Sequence, residues 1–220
     1  MPRQPPQDMA GLLFTVGHSV VDFAAFLKLL RQSNITLLID VRSRPQSARF
    51  PHFDRIELEQ ALPAAGIRYL FLGEELGGRP DDPKVYRSDG LVDYRARRKS
   101  SGFRMGIERV QMELEKSCVA LMCAEEDPLT CHRFLMICPE LTALGIEPSH
   151  IRKGGIIESQ HDAEDRLLNT RNFGDVASGS LFSSDREAAL EEAYAAQAEK
   201  CAFRIDPRVL EPAPYAISSF

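Results

Sequence analysis

The stretch Val119-Ala-Leu-Met-Cys-Ala-Glu-Glu-Asp-Pro-Leu-Thr-Cys-His-Arg133 decides how this chain should fold. Its first four residues are uninterruptedly apolar and end in polar and turn-forming residues, the pattern of a short buried strand. Asp127-Pro128 then starts a helix in the favoured way, with Asp as N-cap and Pro at the first helical position. The same connection concentrates reactive groups. Cys123 falls at the strand end, and Cys131, His132 and Arg133 fall near the first helical turn, beside its partial positive charge. A thiol there has a reason to ionise, and a thiolate is both nucleophile and metal ligand. Glu125, Glu126 and Asp127 bring three carboxylates to the same turn.

Upstream, the chain alternates strands and helices. Leu12–Val16 reads as a first strand ending in Gly17-His18-Ser19. Asp22 caps a helix whose apolar positions Phe23, Phe26, Leu27 and Leu30 recur at helical spacing, and Asn34 closes it. Thr36–Val41 is a second strand, apolar enough for a parallel sheet covered on both faces. Asp54 with Glu57 resembles a capping box opening a helix to about Ala65, stopped by Gly66, and Ile67–Leu72 is a third strand. A long polar loop leads to a helix over Tyr94–Lys116 interrupted near Gly102. Downstream of the central stretch, the helix runs to about Leu144, and Ser149–Arg152 is a fifth strand. Ile156–Glu158 reads as a short strand and Ala163–Leu168 as a helix. The expected fold is α/β: three layers, a mostly parallel sheet with helices on both faces, and a helical C-terminal extension. We divide the chain into a tail (1–10), an α/β core (11–169) and a C-terminal part (170–220). That last part holds a Gly/Ser/Asn/Asp-rich linker, a helix from Asp185 to Lys200 with Asp185 as cap, and a Pro-containing tail.

Ligands of such sheets bind beyond the carboxyl ends of the strands. His18/Ser19, Asp40/Arg42, Glu74/Glu75 and Cys123–His132 all follow strands, so four loops should converge on one edge.

Val16-Gly-His-Ser19, Asp40–Phe53, Glu75-Leu-Gly-Gly78 and Cys123–Arg133 together resemble the signature blocks of the domain-of-unknown-function 488 family. The resemblance covers roughly residues 11 to 165, about three quarters of the chain. It implies a fold and no particular activity, and the C-terminal part lies outside it.

Composition narrows the classes. The 220 residues are 44% apolar, enough for an ordinary core, and carry a net charge of −5, which argues against general affinity for nucleic acid. The first eight residues lack the apolar run of a signal peptide, and no stretch approaches the roughly 20 apolar residues of a membrane span. Five cysteines, an odd number without small-domain spacing, do not read as a disulfide framework, so the expected compartment is cytoplasmic with reduced thiols.

The candidate catalytic residues are Cys123, Cys131, His132 and His18. One sulfur would attack, and an imidazole would shuttle protons. Ser19, Asp40, Arg42, Arg49, Glu75 and Arg133 are candidate substrate contacts, the arginines binding a small anionic or nucleotide-like molecule bidentately. Each has a structural alternative. Cys131 shares a helical face with Phe134, Leu135 and Cys138 and packs well in a core. Asp40 and Arg42 alternate on a strand and can form an ion pair that shapes the loop. Cys118 and Cys138 read as core, and Cys201 as an incidental thiol. Two other functions stay open. Arg42–Arg49 and Arg95–Lys99 could contact nucleic-acid phosphates. Cys123, Cys131 and His132 could hold a metal, although a Cys-x7-Cys-His spacing is not that of a standard zinc knuckle. The strand Leu37–Arg42 resembles that of rhodanese-type sulfurtransferases, but their compact Cys loop is missing here. The residues name no cofactor.

Overall fold

A computed structural model of the chain describes residues 10–47, 49–170 and 183–210, with backbone alone for 183–185. In chain order the elements are β1 (Leu13–Gly17), α1 (Phe23–Gln32), β2 (Leu37–Asp40), α2 (Arg55–Ala61), β3 (Arg68–Phe71), α3 (Gly73–Leu76), α4 (Tyr94–Lys99), α5 (Ser101–Leu114), β4 (Val119–Cys123), α6 (Cys138–Ala143), β5 (Ser149–Ile151), β6 (Ile157–Ser159), α7 (Gln160–Thr170) and α8 (Ser183–Cys201).

The six strands form one sheet in the order β3-β2-β4-β1-β5-β6, parallel except for β6, which pairs antiparallel with β5. β2 and β4 are buried at every position, as their continuous apolar runs require. Their side chains alternate between two cores. Leu38, Ala120 and Met122 pack with Phe26 and Leu30 of α1 and Leu58 of α2. Leu37, Ile39, Leu121 and Cys123 face the other way, toward Val110 and Leu114 of α5, Phe134, Leu141 of α6, Leu167 of α7 and Ala193 of α8. The fold is therefore the expected three-layer α/β arrangement with a C-terminal helix docked on it. No helix among the described residues is long and apolar enough to cross a membrane.

The connections β1–β2 and β2–β3 run one way over the first face, whereas β3–β4 and β4–β5 run back over the second. The direction changes between the adjacent strands β1 and β4, whose last residues, Gly17 and Cys123, lie side by side. At such a switch the loops diverge to opposite faces and leave a crevice.

Several local expectations need correction. Asp54 sits at the N-cap of α2 but makes no capping bond there; its carboxylate accepts from Ser47 N at 2.6 Å and so closes the loop before it. The break in the 94–116 segment falls at Ser100, which ends α4 and caps α5 by accepting from Phe103 N. Glu74 and Glu75 belong to the short helix α3 rather than to an open loop. Asp127-Pro128 opens only a three-residue 3-10 turn, after which Cys131 is extended (φ −126°, ψ 141°) and a π-helical turn, Arg133–Ile137, leads into α6. Asp22 does cap α1, through Ala25 N at 2.7 Å, and Asn34 adopts the left-handed φ of 52° that ends it. The N-terminal tail up to residue 9, the linker 171–182, the tail 211–220 and the proposed cap of Asp185 lie outside the described residues and side chains.

Candidate active site

Two backbone bonds continue the β1–β4 pairing beyond the strand ends: His18 N donates to Cys123 O (3.0 Å) and Ser19 N to Ala124 O (2.8 Å). They explain Gly17. A Cβ at that position would lie 1.7 Å from Glu125 O, so only glycine lets the two loops pass. His18 is thereby held beside Cys123.

On the β2 side, Arg42 folds back onto Asp40. Its Nε and Nη2 donate to the two Asp40 carboxylate oxygens at 2.9 and 2.6 Å, Nη2 also donates to Phe53 O, and Nη1 donates to His18 Nε2 at 3.3 Å. Tyr69 Oη donates to the same carboxylate at 2.8 Å. The ion pair expected as a loop-shaping device is thus present and buried. Because Arg42 donates to Nε2, His18 is neutral and gives its Nδ1 proton to Ser19 O. Burial and the Arg42 charge push its pKa down to about 4. Its ring stacks on Phe53 at 4.3 Å. His18 therefore presents a fixed neutral imidazole at neutral pH, its one proton committed to Ser19 O.

On the β4 side, the 3-10 turn returns the chain so that Cys131 and His132 stand next to Cys123 despite seven intervening residues. His132 Nε2 donates to Val41 O at 2.9 Å, which orients the ring and turns Nδ1 toward both sulfurs, 3.7 Å from Cys123 Sγ and 3.8 Å from Cys131 Sγ. Cys123 Sγ also lies 3.0 Å from Glu125 Oε2, to which its thiol donates. Gly78 packs its backbone against the His132 ring, since a Cβ there would be 2.9 Å from His132 Cγ. The adjacent glycines 77 and 78 thus mark close approaches of the segment to Ser43 and to His132.

Arg133 is wholly buried and does not reach the site as an anion-binding group. Its Nη1 and Nη2 donate to Glu125 O and Glu126 O, and its Nε to Thr15 Oγ1. No carboxylate pairs with it among the described residues. A buried cation needs a countercharge, and the nearby sulfurs are placed to supply it. Burial alone would hold the Cys131 thiol up, but its hydrogen bond with Cys123 and the Arg133 and His132 charges hold it well below the ordinary thiol range. Cys123, bonded to Cys131 and buried beside it and Glu125, is pushed up. Of the two sulfurs, Cys131 is therefore the one that ionises more readily.

These groups form one end of a cavity of about 600 Å³ whose lining includes His18, Arg42, Cys123, Glu125 and His132. Its remaining wall is cationic and partly unforeseen: Arg44, Ser43 and Ser47 from the loop after β2, Arg79 after Gly78, Tyr94 at the start of α4, Cys201 at the end of α8 and Ala202–Arg204 after it. Ser19 lines a different, smaller groove, Arg49 is exposed with its guanidinium over Phe50, and Glu75 accepts a bond from Arg97 through its backbone oxygen. None of those three reaches the cavity. Asp40 stands behind Arg42, and Cys201 is a wall residue rather than an incidental thiol. Cys118 and Cys138 are core, as expected. Nothing in the sequence pattern joined Ala202–Arg204 to the site, because the contact spans more than 100 residues: Val92 N donates to Phe203 O, Ile205 N to Gly90 O, and Arg79 stacks on Phe203 at 4.8 Å.

The basic run Arg95–Lys99 is largely engaged within the molecule. Arg97 is buried with Nη2 on Glu74 O and Glu75 O, and Arg95 and Arg98 pair with Glu191 and Glu140.

Neither the curated proteins nor the solved structures include a significant match to this sequence. A family model described as "Domain of unknown function DUF488" matches residues 22–137, more than half of the 220 and narrower than the stretch whose motifs carry the resemblance. Its boundaries take in Asp40, Arg42, Gly78 and the whole Cys123–Arg133 connection, and on that match the chain belongs to the DUF488 family.

Proposed function

We propose that the protein is an enzyme acting on a small anionic molecule held in this cavity, with the Cys123/Cys131/His132 cluster as its reacting centre. One observation carries the reading: in a chain of net charge −5, the arginines 42, 44, 79 and 204 line a single cavity whose inner end is that cluster. A local field of this sign concentrates anions, and a guanidinium fork matches carboxylate or phosphate. Tyr94 and Phe203 give the wall an apolar component suited to an organic anion over a bare inorganic one. The sulfur pair carries the reactivity, since Arg133 and His132 favour a thiolate beside the bound molecule. A reducing, cytosolic setting fits five unbridged cysteines.

Calorimetric titration with a panel of phosphates, nucleoside monophosphates and carboxylates tests the reading at two salt concentrations. At least one organic anion should bind saturably. Arg44→Ala and Arg79→Ala, both at exposed positions, should each weaken it about tenfold, the effect of losing one charge-assisted contact. Absence of saturable binding across the panel, or binding indifferent to both substitutions, would refute it.

A further inference from the structure

We propose that Cys123, Cys131 and His132 form a divalent-metal site of the zinc class, with its fourth position open to the cavity. This deepens the reading above by naming what the reacting centre holds.

The geometry is that of a metal-binding set. In tetrahedral zinc coordination, with Zn–S near 2.3 Å and Zn–N near 2.0 Å, neighbouring donors stand about 3.5–3.8 Å apart. The two sulfur–nitrogen separations here are 3.7 and 3.8 Å. All three donor atoms lie within 4.8 Å of one another, so the sulfurs need to close by at most about 1 Å. The imidazole is already oriented as in metal sites generally, its outer N–H tied to a backbone carbonyl, Val41 O, and its inner nitrogen, Nδ1, facing both sulfurs. Thiolate and imidazole donors select zinc-like ions over magnesium or calcium. The unusual Cys-x7-Cys-His spacing presents no obstacle, because the donors come from a strand end and a helix start brought together by the Pro128–Thr130 turn.

The coordination count also decides the type of site. Structural zinc has four protein ligands, whereas catalytic zinc keeps a position for water or substrate. Cys123 and His132 line the cavity while Cys131 lies behind them, so an ion held by all three faces the cavity. Glu125 also lines it, with Oε2 3.0 Å from Cys123 Sγ, close enough to accept a proton from a water at the open corner. Charge closes at the ion as well, since two thiolates neutralise a divalent cation.

The full-length protein, produced without a metal-binding tag and handled under reducing conditions, is the material for the test. Elemental analysis should find one zinc-class ion per chain. After removal by chelator, titration with Co²⁺ should give the visible bands of tetrahedral cobalt and the near-ultraviolet thiolate charge-transfer band, saturating at one equivalent. Cys131→Ser and His132→Ala should bring retained metal below about one tenth of an equivalent, while Cys201→Ser keeps it. Because a variant that fails to fold also loses its metal, the wild-type cobalt spectrum decides alone. A folded wild type with no stoichiometric metal and no charge-transfer band overturns the proposal. Anion binding that persists in such a protein leaves the functional reading standing without a metal; stoichiometric metal with no anion binding does the reverse.

Discussion

At the residue scale, Asp40 and Gly78 show how the site is held. Asp40 is fully buried and accepts from Arg42 and Tyr69, and Arg42 in turn holds His18. Removing one partner of a buried pair leaves the other charge without compensation, which costs about 3–5 kcal/mol. Asp40→Ala should therefore lower the free energy of unfolding in urea by that amount, whereas Glu59→Gln, in an exposed pair with Arg55, should cost at most about 0.5 kcal/mol. Equal effects would show that the buried pair is not coupled to folding. Gly78 makes a separate case. Alanine there must push the His132 ring away, a misfit costing about 1–3 kcal/mol. Gly102→Ala near the start of α5, where the nearest atom stands 4.0 Å from the new Cβ, should be neutral or gain up to about 1 kcal/mol. Two glycines of one sequence thus differ in sign of effect, and a pair of denaturation curves measures it.

At the scale of elements, the connections between them set the pH response. His150 of β5 sits on the second face in a chain of bonds running from Thr15 Oγ1 (2.8 Å) through His150 to Gln160 Oε1 (3.1 Å), and on through Gln160 Nε2 to Tyr194 and Glu164. The network ties β1 and β5 to α7 and α8 behind the site. Burial, with Arg133 nearby, lowers the His150 pKa from 6.5 to about 4. The folded state then binds fewer protons than the unfolded state between those values, so this contribution is complete above about pH 6.5 and is lost as pH falls toward 4. Its size is roughly 3 kcal/mol. His18 titrates with the same sign and window. Glu126, Asp127 and Glu158, held below their usual range against burial by Arg152 and Arg166, lose their contribution at lower pH still. Stability measured from pH 7 down to pH 4 should fall, and His150→Gln should flatten that slope by about half while lowering the value at pH 7. A slope unchanged by the substitution would mean that His150 is not neutral in the folded protein. Local signals made these elements legible: apolar runs for β2 and β4, Asp22 as a cap, and Gly66 and Asn34 as left-handed stops. They failed where a side chain had a better non-local partner. Asp54 gives up its helix to close a loop, and the start signal at Asp127-Pro128 is spent on a single turn because Cys131 must be extended to face Cys123.

At the scale of the molecule, the strand order makes the site, and a remote segment completes it. The rule that ligands gather beyond the carboxyl ends of strands was enough to bring His18, Arg42, Cys123 and His132 to one edge from sequence alone. The wall formed by residues 201–204 was not legible, because it depends on where α8 ends after a linker and on contacts with a hairpin more than 100 residues earlier. That segment is anchored by backbone bonds to Gly90 and Val92, the Arg204–Asp89 pair and the Phe203–Arg79 stack, with Ala202 and Phe203 packed at the edge of the core. Helix α8 itself is held differently, by Ala193 in the core and Tyr194 in the buried network. The two parts of the extension should therefore separate experimentally. A chain ended after Cys201 keeps the core contacts of α8 and should unfold at a midpoint close to that of the full chain, yet bind its organic anion about five- to tenfold more weakly for want of Phe203 and Arg204. A chain ended before Ser183 loses the cover over Phe134 and Leu135 and the partner of Gln160, and should be clearly destabilised. If the shorter cut left affinity unchanged, the segment would be only a structural wall; if it also collapsed stability, the strap would belong to the fold and the division between scaffold and site drawn at Cys201 would be wrong.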